Sequence, residues 1–277
     1  MYQVTSYKGV LVVKEDKLEQ DPKPRDKVVK RGKVRGFSRK SRKNLLRLVN
    51  ELEPSDCYYF VTLTYRQWED DNAKLWHYQL KRIFEGLRFS YPTSSGVWRL
   101  EFQKRKAPHF HILLHVPQKP EASDLRERIK TLWCRILGQS SWAFKKHSVD
   151  CKHVGSDYKS CALYSAIYSA KDANDRPDIN TGRQWGKYNE KHLPKKAFST
   201  HVLCPLRQTV LRRICRKWMQ AHNKRHGYAR YLKSKNGSFD IFMPASEQAR
   251  LLQFVKTFEV GSLVSIPNQS RARSRAA

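Results

Sequence analysis

VWRLEFQKRKAPHFHILLHV, residues 97–116, reads as two strands joined by a short basic turn. VWRLEFQK and HFHILLHV are rich in apolar and aromatic residues, and RKAP lies between them, a pattern that predicts a β-hairpin. Side chains alternate faces along a strand, so His109 and His111 point one way and Phe110 the other. Ile112, Leu113 and Leu114 mark a buried strand, where two imidazoles without partners would be costly. The hairpin brings the carboxylate of Glu101 beside them. Two nitrogens and one oxygen leave open coordination positions, which suits Mg²⁺ or Mn²⁺ as a Lewis acid on a phosphate oxygen. His115 shares their face by parity but lies farther along the strand, a weaker candidate ligand.

Outward from the hairpin, YYFVTLTY from Tyr58 has the β-branched and aromatic content of a central strand. Residues 74–89 and 121–137 carry apolar positions at helical spacing, the second stretch ending at Gly138. A shorter strand is expected around HSVDCKHV (147–154) and a helix from about Tyr158 to Lys171. The order strand, helix, strand, strand, helix, strand, helix predicts an α+β fold: an antiparallel-centred sheet of ferredoxin-like, RRM-like type with helices mainly on one face. Three regions are expected. Residues 1–36 form a basic N-terminal arm, 37–195 the main domain opened by the helical NLLRLVNEL, and 196–277 a basic helical extension ending in a disordered tail.

The chain carries 55 Lys and Arg against 25 Asp and Glu, a formal charge of +30 that draws polyanions by long-range attraction and counterion release. Candidate DNA-backbone contacts are Arg31, Arg35, Arg39, Lys40, Arg42 and Lys43 in the N-terminal basic run, Lys104, Arg105 and Lys106 in the hairpin turn, and Arg212, Arg213, Arg216 and Lys217 on a later helix. Trp185 and Tyr188 are candidates for stacking on bases. No apolar run approaches the ~20 residues that span a bilayer, and the N-terminus has no signal-peptide pattern. A cytoplasmic protein without a membrane partner is expected. Six scattered cysteines without a CxxC pair point to reduced thiols. The absence of GxxxxGK[ST] leaves strand separation to another protein.

In YSAIYSAK, residues 164–171, Tyr164 and Tyr168 are four apart and Lys171 follows three later, so all three project from one helix face. A phenol with a reference pKa near ~10 is a poor nucleophile while protonated. The Lys171 cation and a nearby metal ion would favour the phenolate and offset charge building on phosphorus.

Taken together, these motifs resemble those of the HUH endonucleases, and specifically of rolling-circle replication initiators. FVTLTY (60–65) looks like their first motif, HFHILL (109–114) like the His-hydrophobe-His metal motif, and YSAIYSAK like the two-tyrosine form of the nucleophile motif. Glu101 stands where some members carry a carboxylate ligand, and TGRQWG (181–186) is similar to a segment that follows the tyrosine helix in phage and plasmid initiators. The resemblance spans residues 37–190. It implies Tyr168 as primary nucleophile, Tyr164 as the second, a 5′-phosphotyrosine intermediate on single-stranded or hairpin origin DNA, and a host helicase and polymerase as partners. Relaxases place the tyrosine before the histidines, an order not seen here. A single-strand DNA transposase of the same chemistry and a non-catalytic nucleic-acid-binding module are the alternatives. Paired terminal hairpins on the encoding element would mark the first, and lack of metal-dependent covalent capture the second.

Overall fold

The computed structural model describes residues 2–7, 10–15, 37–66, 72–103, 105–157, 180–196, 198–226 and 239–257. The chain divides into two compact units: residues 27–196, and residues 1–26 together with 197–277.

In the first unit, α1 (Arg39–Glu51) precedes β3 (Tyr58–Thr64), α2 (Ala73–Ser90), β4 (Ser95–Phe102), β5 (Pro108–His115), α3 (Ala122–Leu137), the short α4 (Trp142–His147), β6 (Val149–His153) and β7 (Trp185–Tyr188). The five strands lie in the order β6-β3-β5-β4-β7, and every neighbouring pair is antiparallel. From β3 to β6 this is the βαββαβ arrangement expected from the sequence. Alternation along the strands sends Tyr59, Val61 and Leu63 of β3, Trp98 and Leu100 of β4, and Phe110, Ile112 and Leu114 of β5 to one face.

Two helices cover that face. α2 buries Trp76, Leu80, Ile83, Phe84 and Leu87 at helical spacing, started by the Asn72 side chain accepting from Leu75 N–H. α3 buries Leu125, Ile129 and Trp133 and ends at Gly138, whose φ of 63° is readily adopted only without a Cβ. Where α2 meets α3, a Cβ on Gly86 would come within 2.9 Å of Leu132, so glycine sets how closely the helices approach. The opposite face carries one helix. α1, capped by Ser38, packs Leu45, Leu48, Val49 and Leu52 onto Tyr58, Val97 and Leu113, covering that end of the sheet.

Two elements depart from the sequence expectation. α4 was not expected, and TGRQWG, read as a glycine turn, runs into edge strand β7. Tyr188, a candidate base-stacking residue, is buried there. Its ring stacks on Phe84 at 4.4 Å and its hydroxyl lies 2.9 Å from Ser94 Oγ, so it is a packing residue. Trp185 is half-buried and packs against the α1 core.

The second unit holds a four-stranded antiparallel sheet in the order β8-β1-β2-β9, built from β1 (Tyr2–Tyr7), β2 (Val10–Glu15), β8 (Phe198–Leu203) and β9 (Phe239–Phe242). α5 (Pro205–His226) and α6 (Ala245–Thr257) supply Leu211, Cys215, Leu251, Leu252 and Val255 to a core with Val4, Leu11, Val13, Phe239 and Ile241. The expected arm (1–36) and extension (196–277) are therefore not separate appendages. Residues 2–15 are strands that pair with β8 and β9, and the C-terminal region is not purely helical. The tail after residue 257 and the basic run 16–36 lie outside the described residues. Among the described residues, the five cysteines are free and no helix is long and apolar enough to cross a membrane.

Candidate active site

The part of the sheet face that α1 leaves open is polar. Antiparallel register sets Thr64 and Glu101 on either side of His109, and Thr62 and Arg99 on either side of His111. Three central strands thus converge six polar side chains on one patch. Thr64 Oγ1 lies 3.2 Å from His109 Nδ1, and Thr62 Oγ1 lies 3.2 Å from His111 Nδ1. A threonine hydroxyl accepting from Nδ1–H fixes the tautomer and leaves the Nε2 lone pair for a ligand. The two rings are 4.5 Å apart at 72°, and Phe60 stacks on His111 at 5.3 Å.

Glu101 joins the pair through Oε2, 3.4 Å from His111 Nε2, while its Oε1 is 2.7 Å from Arg99 Nη1. Arg99 is 2% exposed and its guanidinium lies over the Phe37 ring at 4.7 Å. Burial opposes ionisation of Glu101, but the hydrogen bond with His111 and the charges of His111, Arg99 and His109 outweigh it and hold the carboxyl below its ordinary value. Burial first, and then the neighbouring His111, push His109 down to about 3. At neutral pH the site therefore offers a neutral imidazole and a carboxylate, the ligand forms of both groups.

Among the described residues, no group of three or more His, Cys, Asp or Glu side chains is already closed into a metal-holding cluster. The donor set nevertheless fits a hard divalent ion. Ligands about 2.1 Å from an octahedral ion stand roughly 3 Å apart, close to the Glu101–His111 separation of 3.4 Å. Glu101 would then exchange part of its ion pair with Arg99 for the metal.

His115 is on the same face but at its far end, beside Tyr58 and 3.3 Å from Ser55 Oγ, away from the patch. Lys40, Arg42 and Lys43 sit on α1, the helix that borders the patch, and exposed Arg105 and Lys106 sit in the β4–β5 turn at its other end. Arg105 also donates to Tyr65 O at 3.1 Å. Arg213, Arg216 and Lys217 are exposed on α5 and Arg212 is half-buried, all in the second unit. Arg31, Arg35, Lys104, Tyr164, Tyr168 and Lys171, with the side chain of Arg39, lie outside the described residues. The described chain stops at Asp157 after edge strand β6 and resumes at Asn180, ahead of β7 on the opposite edge; there Thr181 O accepts from His77 Nε2 at 3.1 Å.

Sequence reasoning missed Thr62, Thr64 and Arg99. Parity could have found them: the threonines alternate with Val61 and Leu63, and Arg99 precedes Glu101 by one strand repeat.

Residues 58–173 match the family model of the replication-associated protein ORF2. The match supports a Rep-type replication protein. It begins at the first residue of β3 and takes in every member of the polar patch together with Tyr164, Tyr168 and Lys171. No curated protein and no solved structure gives a significant match.

Proposed function

We propose that this chain is a divalent-metal-dependent single-strand DNA endonuclease of the HUH class, which nicks and rejoins origin DNA to initiate rolling-circle replication. The observation that carries the reading is the pair of imidazoles at His109 and His111, each backed by a threonine hydroxyl at Nδ1 and joined by Glu101.

In this reading His109 Nε2, His111 Nε2 and Glu101 hold Mg²⁺ or Mn²⁺. The bound ion supplies Lewis-acid polarisation of the scissile phosphate. Arg99 keeps the Glu101 carboxylate ionised and oriented, and Thr62 and Thr64 keep both rings aimed outward. Lys40, Arg42, Lys43, Arg105 and Lys106 border the patch with positive charge for the DNA backbone. Tyr168 Oη attacks phosphorus, with Lys171 favouring the phenolate. The Oη–P bond forms as the P–O3′ bond breaks. The phenolic proton leaves to solvent, and the departing oxygen takes one up to become a free 3′-OH that primes a host polymerase. The diester energy is kept in the 5′-phosphotyrosine, so rejoining by the reverse attack needs no nucleotide hydrolysis. Tyr164 passes the strand on after a round of synthesis, and a host helicase separates the strands.

The test is covalent capture. Labelled single-stranded oligonucleotides spanning the origin of the encoding element are incubated with the protein in Mn²⁺ or EDTA and run on a denaturing gel. A metal-dependent adduct that disappears in Tyr168→Phe is expected, with any residue of it removed by adding Tyr164→Phe. Full adduct yield in Tyr168→Phe would overturn the nucleophile. No adduct on any origin strand despite tight binding would leave only a binding module.

A further inference from the structure

The helical layer on the other side of the sheet carries a feature that this chemistry does not use. Between the C-terminal half of α3 and α4 runs a groove of about 770 Å³. Arg126, Lys130 and Arg135 line it from α3, and Lys145 and Lys146 from α4. The carboxylate in its lining, Glu127, is already ion-paired with Lys130. At the start of α4, Trp142 is 74% exposed, with Lys146 Nζ 5.0 Å from its ring centroid.

Packing does not explain that indole. The neighbouring Phe144 supplies the buried contact of α4, and the Ser141 hydroxyl accepting from Phe144 N–H caps the helix. A large apolar side chain left in water on a positively charged rim is an informative exception to the rule that such groups are buried. Cations attract phosphates, and a flat aromatic face takes an unpaired base. A duplex hides its base faces, and an acidic peptide would use the cations but leave the indole idle.

We propose that this groove is a second binding surface for single-stranded nucleic acid, with Trp142 as its base-stacking platform and Arg126, Lys130, Arg135, Lys145 and Lys146 as its phosphate contacts. It lies on the helical layer, away from the sheet face that bears His109 and His111, and it does not depend on that site cutting DNA.

The test uses the full chain in EDTA, where no cleavage contributes, and a labelled oligothymidylate of about 30 nucleotides, roughly twice a large single-strand site. Fluorescence anisotropy should show Trp142→Ala weakening binding on the order of tenfold, with Trp142→Phe restoring most of the loss. The triple change Arg135→Ala, Lys145→Ala, Lys146→Ala should lower the slope of log affinity against log salt by about 2. Photocrosslinking to 5-iodouracil should label the peptide that contains Trp142. The same effects should persist on a His109→Ala, His111→Ala background, which separates this surface from the metal site. Unchanged binding in Trp142→Ala together with crosslinks only elsewhere would overturn the proposal. So would a loss in the triple variant with none in Trp142→Ala, because the groove would then be a general polyanion surface.

Discussion

The two faces of the five-stranded sheet are made by the same strands and do opposite work. Under α2 and α3, Val61, Leu63, Leu100, Phe110, Ile112 and Leu114 form a dry, closely packed layer. On the reverse, one residue out of step, Thr62, Thr64, Arg99, Glu101, His109 and His111 form a polar patch that α1 borders without closing. The contrast teaches that the buried layer acts as a fixture. A strand that cannot slip without exposing Phe110 holds His109 and His111 in register with Glu101.

The sharpest way to break the contrast is on the polar side. His109→Ala with His111→Ala should reduce metal-dependent DNA cleavage to background while thermal unfolding stays near that of the parent. Wild-type cleavage in that variant would remove the metal site from the account. Cutting into the other face should do the reverse of this. Phe110 is fully buried between the two histidines, and Phe110→Ala should cost about 3–5 kcal/mol of stability by chemical denaturation. A cost below about 1 kcal/mol would mean the apolar face does not fix the register. A finer incision is Thr64→Val, which removes the hydroxyl beside His109 Nδ1 and keeps the shape. Metal affinity measured by titration should fall about 10–100-fold with little change in melting temperature.

The smallest effect expected is on pH. His109 is held neutral down to about 3 in the folded chain, whereas an unfolded histidine takes up a proton near its model value of 6.5. Below that value the unfolded state binds the extra proton, so in EDTA this residue makes stability fall as pH drops from 6.5 towards 3. His109→Gln should flatten that part of a melting-temperature profile. An unchanged slope would assign the acid sensitivity to other groups.

Much of the patch was legible because its residues follow local rules. The two-residue repeat of HFH and of VTLT fixes which side chains share a face, and the hairpin turn fixes which strand Glu101 meets. α2 and α3 announced themselves by apolar spacing, and α3 by its glycine stop. The parts that escaped depend on distant partners. β7 is four residues long, and its strand character comes from pairing with Gly96–Arg99, far away in sequence. The neighbour of Glu101 that matters electrostatically, Arg99, was hidden because a buried arginine reads in sequence like any other cation. β1 and β2 left a trace, two strand-like runs two residues apart with Gly9 between them, but nothing local says that β8 and β9 will flank them.

That discontinuity has a consequence for the making of the protein. On the ribosome, residues 27–196 are complete before either outer strand of the second unit exists. The β1–β2 hairpin must wait from residue 15 until residue 198 appears, roughly ten to forty seconds at ~5–20 residues per second. A lone hairpin is marginally stable and both its edges are open to pairing with another chain. A nascent chain cut short before β8 would thus carry a finished sheet bearing His109 and His111 and, ahead of it, an adhesive hairpin seeking strands that never arrive.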